Sequence, residues 1–495
     1  MPRSEAPSAS SDDTVSDGRD GGASPGGVAV EPQSPDSQSP DSRSPDTARS
    51  YPGNPRIIAR ADHGISRRQI DPNALKVLYR LAKAGYAAHL VGGGVRDLLL
   101  GETPKDFDIA TDATPDEVHA LFRNCRLIGR RFRLAHIVFG RDVIEVATFR
   151  ASHAVADEAD DDAGVIHDDG RILRDNVFGT LEDDAFRRDF TINALYYDID
   201  GFVVLDFANA MDDLAARRLR LIGEPETRYR EDPVRMLRAA RFAAKLGFDI
   251  DPATADPVHE LGDLLRDIPP SRLFDEVLKL FQTGHAVASL EQLRSLDLLQ
   301  YLFPAADAAL KAGDALFQRL LEGALANTDR RLAEGKPVTP AFIYAVFLWP
   351  ALLREAIALV DDGESTVMAF QRGSSRIMDE QQRHTSLPKR FAGPMRDIWI
   401  LQPKLELYTG RRARRLLEHP RLRAAWDFLC LRRDAGEDVA AACEWWQTAM
   451  AEVPPAHAGS GGDGAAADDG GDAAGGRRRR RRGGRRRRGG GGGAS

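Results

Sequence analysis

The chain has 495 residues, 42% hydrophobic and 29% charged, with a formal net charge of −7. That length argues for several domains, and that charge excludes a uniformly cationic nucleic-acid binder. The ends differ: residues 1–55 carry 4 basic and 9 acidic side chains, residues 452–495 carry 10 arginines against 5 acids. Asp157–Asp169 holds seven acids and no base, so the rest of the middle is balanced and polyanion affinity has to come from local patches. MPRSEAPSAS is no secretory leader. Ala341–Leu353, the most apolar run, is too short for a bilayer, contains Pro350 and reads as a buried helix. Cys125, Cys430 and Cys443 stand far apart without metal-ligand spacing, which argues for a reducing compartment and no zinc; the expected location is cytoplasmic.

Residues 1 to about 55, including QSPDSQSPDSRSPD, cannot bury enough apolar surface to fold and are predicted disordered. The first folded element starts at Asp71, with a helical stripe of Leu75, Leu78 and Leu81 and a C-cap at Gly85. Ala87–Val91 reads as a strand entering Gly92-Gly93-Gly94; a short helix follows, then a strand over Phe107–Ala110. Thr114-Pro115-Asp116-Glu117 is a capping box opening a helix to about Arg123. Ala135–Phe139 and Val143–Phe149 read as strands joined at Gly140-Arg141-Asp142. The second places Val143, Glu145, Ala147 and Phe149 on one face. After Asp206 the pattern turns helical: Asp232 reads as an N-cap, with the helix running from Pro233 to Gly247. An all-helical array covers about 255–450, broken near Pro269, Pro304, Pro350 and Pro388. Beyond about 454, Gly, Ala, Asp and Arg predict disorder again.

The chemistry concentrates in LVGGGVRDLLLGETPKDFDI, Leu90–Ile109. A turn without side chains lets backbone N–H groups approach phosphates, and the helix N-terminus behind it favours negative charge. Asp106 and Asp108, alternate residues of a strand, share a face and can hold paired Mg²⁺ for in-line displacement at phosphorus. Glu145, a carboxylate on an otherwise apolar strand face, is the candidate third metal-site acid.

On these residues the chain resembles the class II tRNA nucleotidyltransferase and bacterial poly(A) polymerase family, a branch of the polymerase-β-like nucleotidyltransferases. Three motifs carry the likeness: GGGVRD (Gly92–Asp97) with KDFD (Lys105–Asp108), RRDFTINAL (Arg187–Leu195), and EDPVRMLRAARF (Glu231–Phe242). The resemblance implies an α+β protein, with a small mixed-sheet head followed by an all-helical half. The expected bounds are a head over 56–215, a neck with the base-recognition motif over 216–280, and an RNA-binding body and tail over 281–453. Gly92, Gly93, Arg96, Arg188 and Asn193 would line the nucleotide site. Asp106 and Asp108 would bind two Mg²⁺, with Asp189 or Glu145 as the further catalytic carboxylate. Asp232 and Arg235 would hydrogen-bond the Watson–Crick edge of the base, with Arg238 one turn on.

LIGRRFRLAHIVFG (Leu127–Gly140) is similar to the signature of the poly(A) branch. The expected reaction is template-independent addition of AMP from ATP to RNA 3′ ends, as in mRNA processing; CCA addition to tRNA is the runner-up. A catalytically dead RNA scaffold is the third reading, and the intact carboxylates argue against it. The expected partners are single-stranded RNA 3′ ends and RNA-decay proteins, with no membrane. Arg477, Arg478, Arg479, Arg480, Arg481, Arg482, Arg485, Arg486, Arg487 and Arg488 form a polycationic tail suited to salt-sensitive RNA tethering.

Overall fold

The computed structural model describes residues 53–129, 133–151, 177–408 and 411–452. The N-terminal extension, the acidic segment 157–169, positions 130–132 of the signature and the arginine tail lie outside the described residues.

Eight strands form one sheet: β1 (Arg56–Ile58), β2 (Ala88–Val91), β3 (Asp108–Thr111), β4 (Cys125–Ile128), β5 (Leu134–Phe139), β6 (Asp142–Thr148), β7 (Leu195–Asp198) and β8 (Val203–Asp206). Their order is β1-β8-β7-β2-β3-β6-β5-β4. Only β3 and β6 run parallel, so the sheet is mixed as expected. Strands β1, β4, β7 and β8 were not marked by the sequence pattern. The β7 segment LYYD is buried on both faces, so it lacks the polar alternation that would announce a strand.

The sheet is covered on both sides. Helix α1 (Pro72–Lys83) lies on one face, burying Val77, Leu78 and Leu81 in the same core as Leu90, Ile109, Ile144 and Val146. Asp71 caps it, its Oδ1 accepting from Asn73 N at 2.7 Å and Ala74 N at 3.2 Å; Gly85, at φ 95°, follows its end. On the other face Val91, Ala110, Phe149, Tyr196 and Leu205 pack with Leu181 and Ala185. Alternation along each strand thus sorts neighbouring residues into opposite layers.

The expected strand Phe107–Ala110 is found one residue later, so Asp106 sits in the loop before β3 rather than beside Asp108 on a strand. The expected capping box holds: Thr114 N donates to Glu117 Oε2 at 2.7 Å, opening helix Pro115–Leu121.

Past Leu219 the described residues are almost wholly helical, and Pro270, Pro304 and Pro340 each open a helix, where a missing N–H costs nothing. The apolar run falls in helices Pro340–Phe347 and Trp349–Asp361, bent by 57°, with Tyr344, Phe347, Trp349 and Leu352 in the core. No single helix among the described residues is long and apolar enough to cross a membrane.

A further expectation loses its support. Cys430 and Cys443, whose wide spacing argued for a reducing compartment, form a disulfide with Cα atoms 5.7 Å apart. Helices Leu422–Ala435 and Ala440–Glu452 pack together across a short turn, and that brings together cysteines 13 residues apart in sequence. The cysteine pattern therefore loses its value as an indicator of a reducing compartment.

Candidate active site

The glycine turn joins β2 to helix α2 (Gly93–Leu99). Gly92 adopts φ 72°, ψ −136°, a region closed to side-chain-bearing residues. A Cβ there would also lie 3.3 Å from Arg188 Nη1. A Cβ on Gly94 would lie 3.3 Å from the carbonyl oxygen of Asp106. The turn is thus wedged between the Asp106 loop and Arg188.

Asp108 opens β3 on the same sheet face as Glu145. The β3–β6 register pairs Ile109 with Val146, so Asp108 and Glu145 are the next cross-strand neighbours. Burial, then the Glu145 and Asp106 charges, push the Asp108 carboxyl up to about 6, with Arg188 pulling the other way. Four of the expected site residues therefore share one electrostatic neighbourhood. His136 on β5 stands opposite Glu145, its Nε2 3.5 Å from Glu145 Oε1.

Arg188 is held from behind. Its Nη2 donates to Asp184 Oδ2 at 3.0 Å and its Nε to Tyr196 Oη at 2.9 Å, while Tyr196 Oη donates to the same Asp184 oxygen at 2.7 Å. Burial disfavours the Arg188 charge, yet Tyr196 and Asp184 outweigh it and leave the pKa raised. Asp184 lies on helix Leu181–Phe186, one turn before Arg188, so it was readable at i−4; Tyr196 carried no such signal.

A second set links the three motifs. Arg96 Nη1 donates to Asn193 Oδ1 at 2.6 Å, and Asn193 Nδ2 donates to Asp189 Oδ1 at 3.0 Å. Arg238 donates to Asp189 Oδ2 through Nε at 2.7 Å and also through Nη2. Burial alone would raise the Asp189 carboxyl, but Arg238, Asn193 and the Phe190 N–H hold it well below the usual carboxylate range. Arg96 is itself buried, braced by Asp97 at 2.6 Å and lying over the Phe242 ring at 5.3 Å.

The expected base-recognition residues, Asp232 and Arg235, sit where two adjoining helices meet. Helix Pro225–Glu231 ends at Asp232, and the next helix runs Val234–Leu246 with Pro233, not Asp232, at its N-cap. Asp232 Oδ1 still accepts from Val234 N at 3.3 Å, while its Oδ2 accepts from Arg272 at 2.7 Å. Arg235 is buried, its Nη1 donating to Glu231 Oε2 at 2.7 Å and to the Arg228 carbonyl at 2.6 Å. Arg228 in turn donates to the carbonyls of Arg187 and Arg188 at 2.7 Å each, tying this helix pair to the RRD loop. Burial and the neighbouring Arg150, Arg228, Arg235 and Arg188 push Arg187 down to about 9. Such crowding of cations suits a polyphosphate. Arg228 and Arg272 were not singled out by the sequence pattern.

Three sequence profiles match the chain: "Poly A polymerase head domain" over residues 88–220, "Probable RNA and SrmB- binding site of polymerase A" over 247–310, and "Polymerase A arginine-rich C-terminus" over 362–488. Poly(A) polymerase I of Salmonella typhimurium is 50% identical over 407 residues, covering 81% of this chain and 87% of that protein. This chain belongs to the poly(A) polymerase family. A CCA-adding enzyme of Bacillus pumilus is 35% identical, covering 46% of this chain and 54% of that protein. Among solved structures, the Bacillus stearothermophilus CCA-adding enzyme in complex with CTP superposes with a TM-score of 0.51 at 26% identity. It covers 78% of this chain and 84% of that one. The poly(A) polymerase family is a family of nucleotidyltransferases, and the α+β architecture with a helical second half agrees with that membership.

Proposed function

We propose that the protein transfers AMP from ATP to the 3′-hydroxyl of single-stranded RNA without a template, releasing pyrophosphate, in the cytoplasm and as part of mRNA processing. The observation that carries this reading is the shared neighbourhood of Asp106, Asp108, Glu145, Arg188 and the glycine turn. The triphosphate lies along the Gly92–Gly94 turn and Arg188, whose charge Asp184 and Tyr196 hold in place. Asp189, Asn193, Arg96 and Arg238 set the wall beside the ribose.

Among the described residues no three acidic, His or Cys side chains close around a metal ion by themselves. The donor set still fits Mg²⁺. Asp106, from the loop before β3, and Asp108 and Glu145, from neighbouring strands, would hold such an ion through their carboxylate oxygens. A pair of Mg²⁺ held by these residues would supply a lowered hydroxyl pKa and charge neutralisation at the leaving pyrophosphate. Glu145 rather than Asp189 is the third carboxylate of that set, because Asp189 is consumed by Arg238. Asp232 and Arg235 select adenine. Arg235 Nη1 is committed to Glu231, while its Nε and Nη2 have no hydrogen-bond partner among the described residues.

Polyadenylation ranks above CCA addition because the likeness to poly(A) polymerase I spans 81% of the chain, against 46% for a CCA-adding relative. The RNA-decay machinery is the class of protein this product would serve. The test supplies each NTP alone with a short RNA: ATP alone should support long extension, and Asp108→Ala and Asp106→Ala should each abolish it. Normal activity in either variant sinks the assignment.

A further inference from the structure

Resting on the reading that RNA is the substrate, we infer that the head carries a second RNA-binding surface on α1 and the segment before it, across the sheet from the carboxylates. Residues 56–86 hold seven basic and two acidic side chains, in a chain whose overall charge is negative. Lys76, Tyr79, Arg80 and Lys83 recur at i, i+3, i+4 and i+7, so they line the solvent face of α1, and all four are exposed. The preceding segment joins them directly. Arg67 Nη1 donates to Tyr79 Oη at 3.1 Å, and Arg67 and Arg60 lie over the same Phe202 ring, at 4.7 and 5.3 Å.

Two features separate this face from an ordinary solvated one. Arg60, Arg68, Lys76, Arg80 and Lys83 have no acidic partner among the described residues. Elsewhere some exposed arginines find one, as in Arg133–Asp116 and Arg230–Glu226, and others, such as Arg123 and Arg294, do not; what marks this face is five such cations gathered on α1 and the segment before it. The cations also stand on aromatic rings: Lys76 over Phe139 at 5.7 Å and Arg80 over Phe122 at 5.0 Å, besides the pair on Phe202. Tyr79, 41% exposed, presents a ring among them. Unneutralised cations around the exposed Tyr79 ring match the phosphates and a stacked base of a single strand. The occupant is therefore RNA upstream of the 3′ end, since α1 covers the sheet face opposite Asp108 and Glu145.

The experiment compares the full chain with Lys76→Ala/Arg80→Ala/Lys83→Ala, and separately with Tyr79→Ala, using fluorescent oligo(A). If three phosphate contacts are lost, the log–log salt slope of affinity should become shallower by about 2, and affinity for a roughly 40-nucleotide strand should fall up to about a hundredfold at ~0.1 M salt. Extension of a primer of about six nucleotides, with its KM for ATP, should stay at the wild-type level, because none of the substituted side chains belongs to the carboxylate cluster, the glycine turn or the RRD loop. Unchanged affinity and slope for the long RNA in both variants would overturn the inference, whichever protein bound the face instead. That outcome leaves the catalytic reading standing as long as wild type extends the short primer with ATP; failure of wild type to do so would defeat the catalytic reading itself.

Discussion

Asp108 carries two demands that conflict in the metal-free protein. Its carboxyl is pushed up to about 6 by burial first and by Glu145 and Asp106 after it. A folded pKa above the unfolded value of 3.8 means the protonated form favours folding below about 4, and that contribution is lost as pH rises through about 6. Above pH 6 the site therefore holds repelling carboxylates, which a divalent cation relieves. Glu145→Gln should move the Asp108 titration part of the way down towards 3.8, read by carbon-detected NMR on metal-free protein. The same variant should raise the melting temperature of the metal-free protein at pH 7 and weaken its stabilisation by Mg²⁺. A titration unmoved by the substitution would mean the two groups do not interact. At Asp189 the sign is reversed: Arg238, Asn193 and Phe190 N–H overcome burial, so its charged form supports the fold at neutral pH.

Between elements, the decisive contact is that of α2 against the loop before β3. Gly94 is helical, so alanine there gains about 1 kcal/mol in helix propensity. Its Cβ would meet the Asp106 carbonyl at 3.3 Å, and backbone can yield only by carrying Asp106 with it. Gly94→Ala should leave thermal stability nearly unchanged while kcat drops by about ten- to a hundredfold, since misplacing a catalytic group by an ångström can cost that much. Gly92→Ala should do the opposite to stability: forcing a side chain into φ 72°, ψ −136° costs on the order of 1–3 kcal/mol. Paired melting curves and rate measurements separate the two; equal losses of stability would refute the distinction. The neighbouring Arg228 clamp on the Arg187 and Arg188 carbonyls acts at the same scale, fixing the helices bearing Asp232 and Arg235 to the RRD loop.

At the scale of the whole molecule, charge is divided rather than pooled. The net −7 is an average over an acidic N-terminal stretch, an acidic segment and a tail with 10 arginines. Long-range attraction of RNA consequently depends on position along the chain, and deleting residues 474–495 should lower RNA affinity and flatten its salt dependence. The kcat at saturating RNA should persist, because no residue of the carboxylate cluster lies in that tail. Equal salt slopes for the full and shortened chains, measured by anisotropy, would remove the tail from RNA binding.

Local chemistry determined much of this without coordinates. The cap at Asp71, the box at Thr114 and Glu117, and the glycine turn depend on interactions a few residues long, whereas the shared face of Asp108 and Glu145 needed the β3–β6 register. The partners of the site residues were decided only by the tertiary fold. Arg96 meets Asn193 across 97 positions of sequence, Arg238 meets Asp189 across 49, and Asp232 meets Arg272 across 40. The shift of Asp106 off its strand and the joining of Cys430 to Cys443 likewise follow from packing between elements. The physical reason is common to all of them. Hydrogen bonds and ion pairs form between groups that are close in space, and short-range periodicity specifies which face a residue occupies but not what the folded chain brings to it.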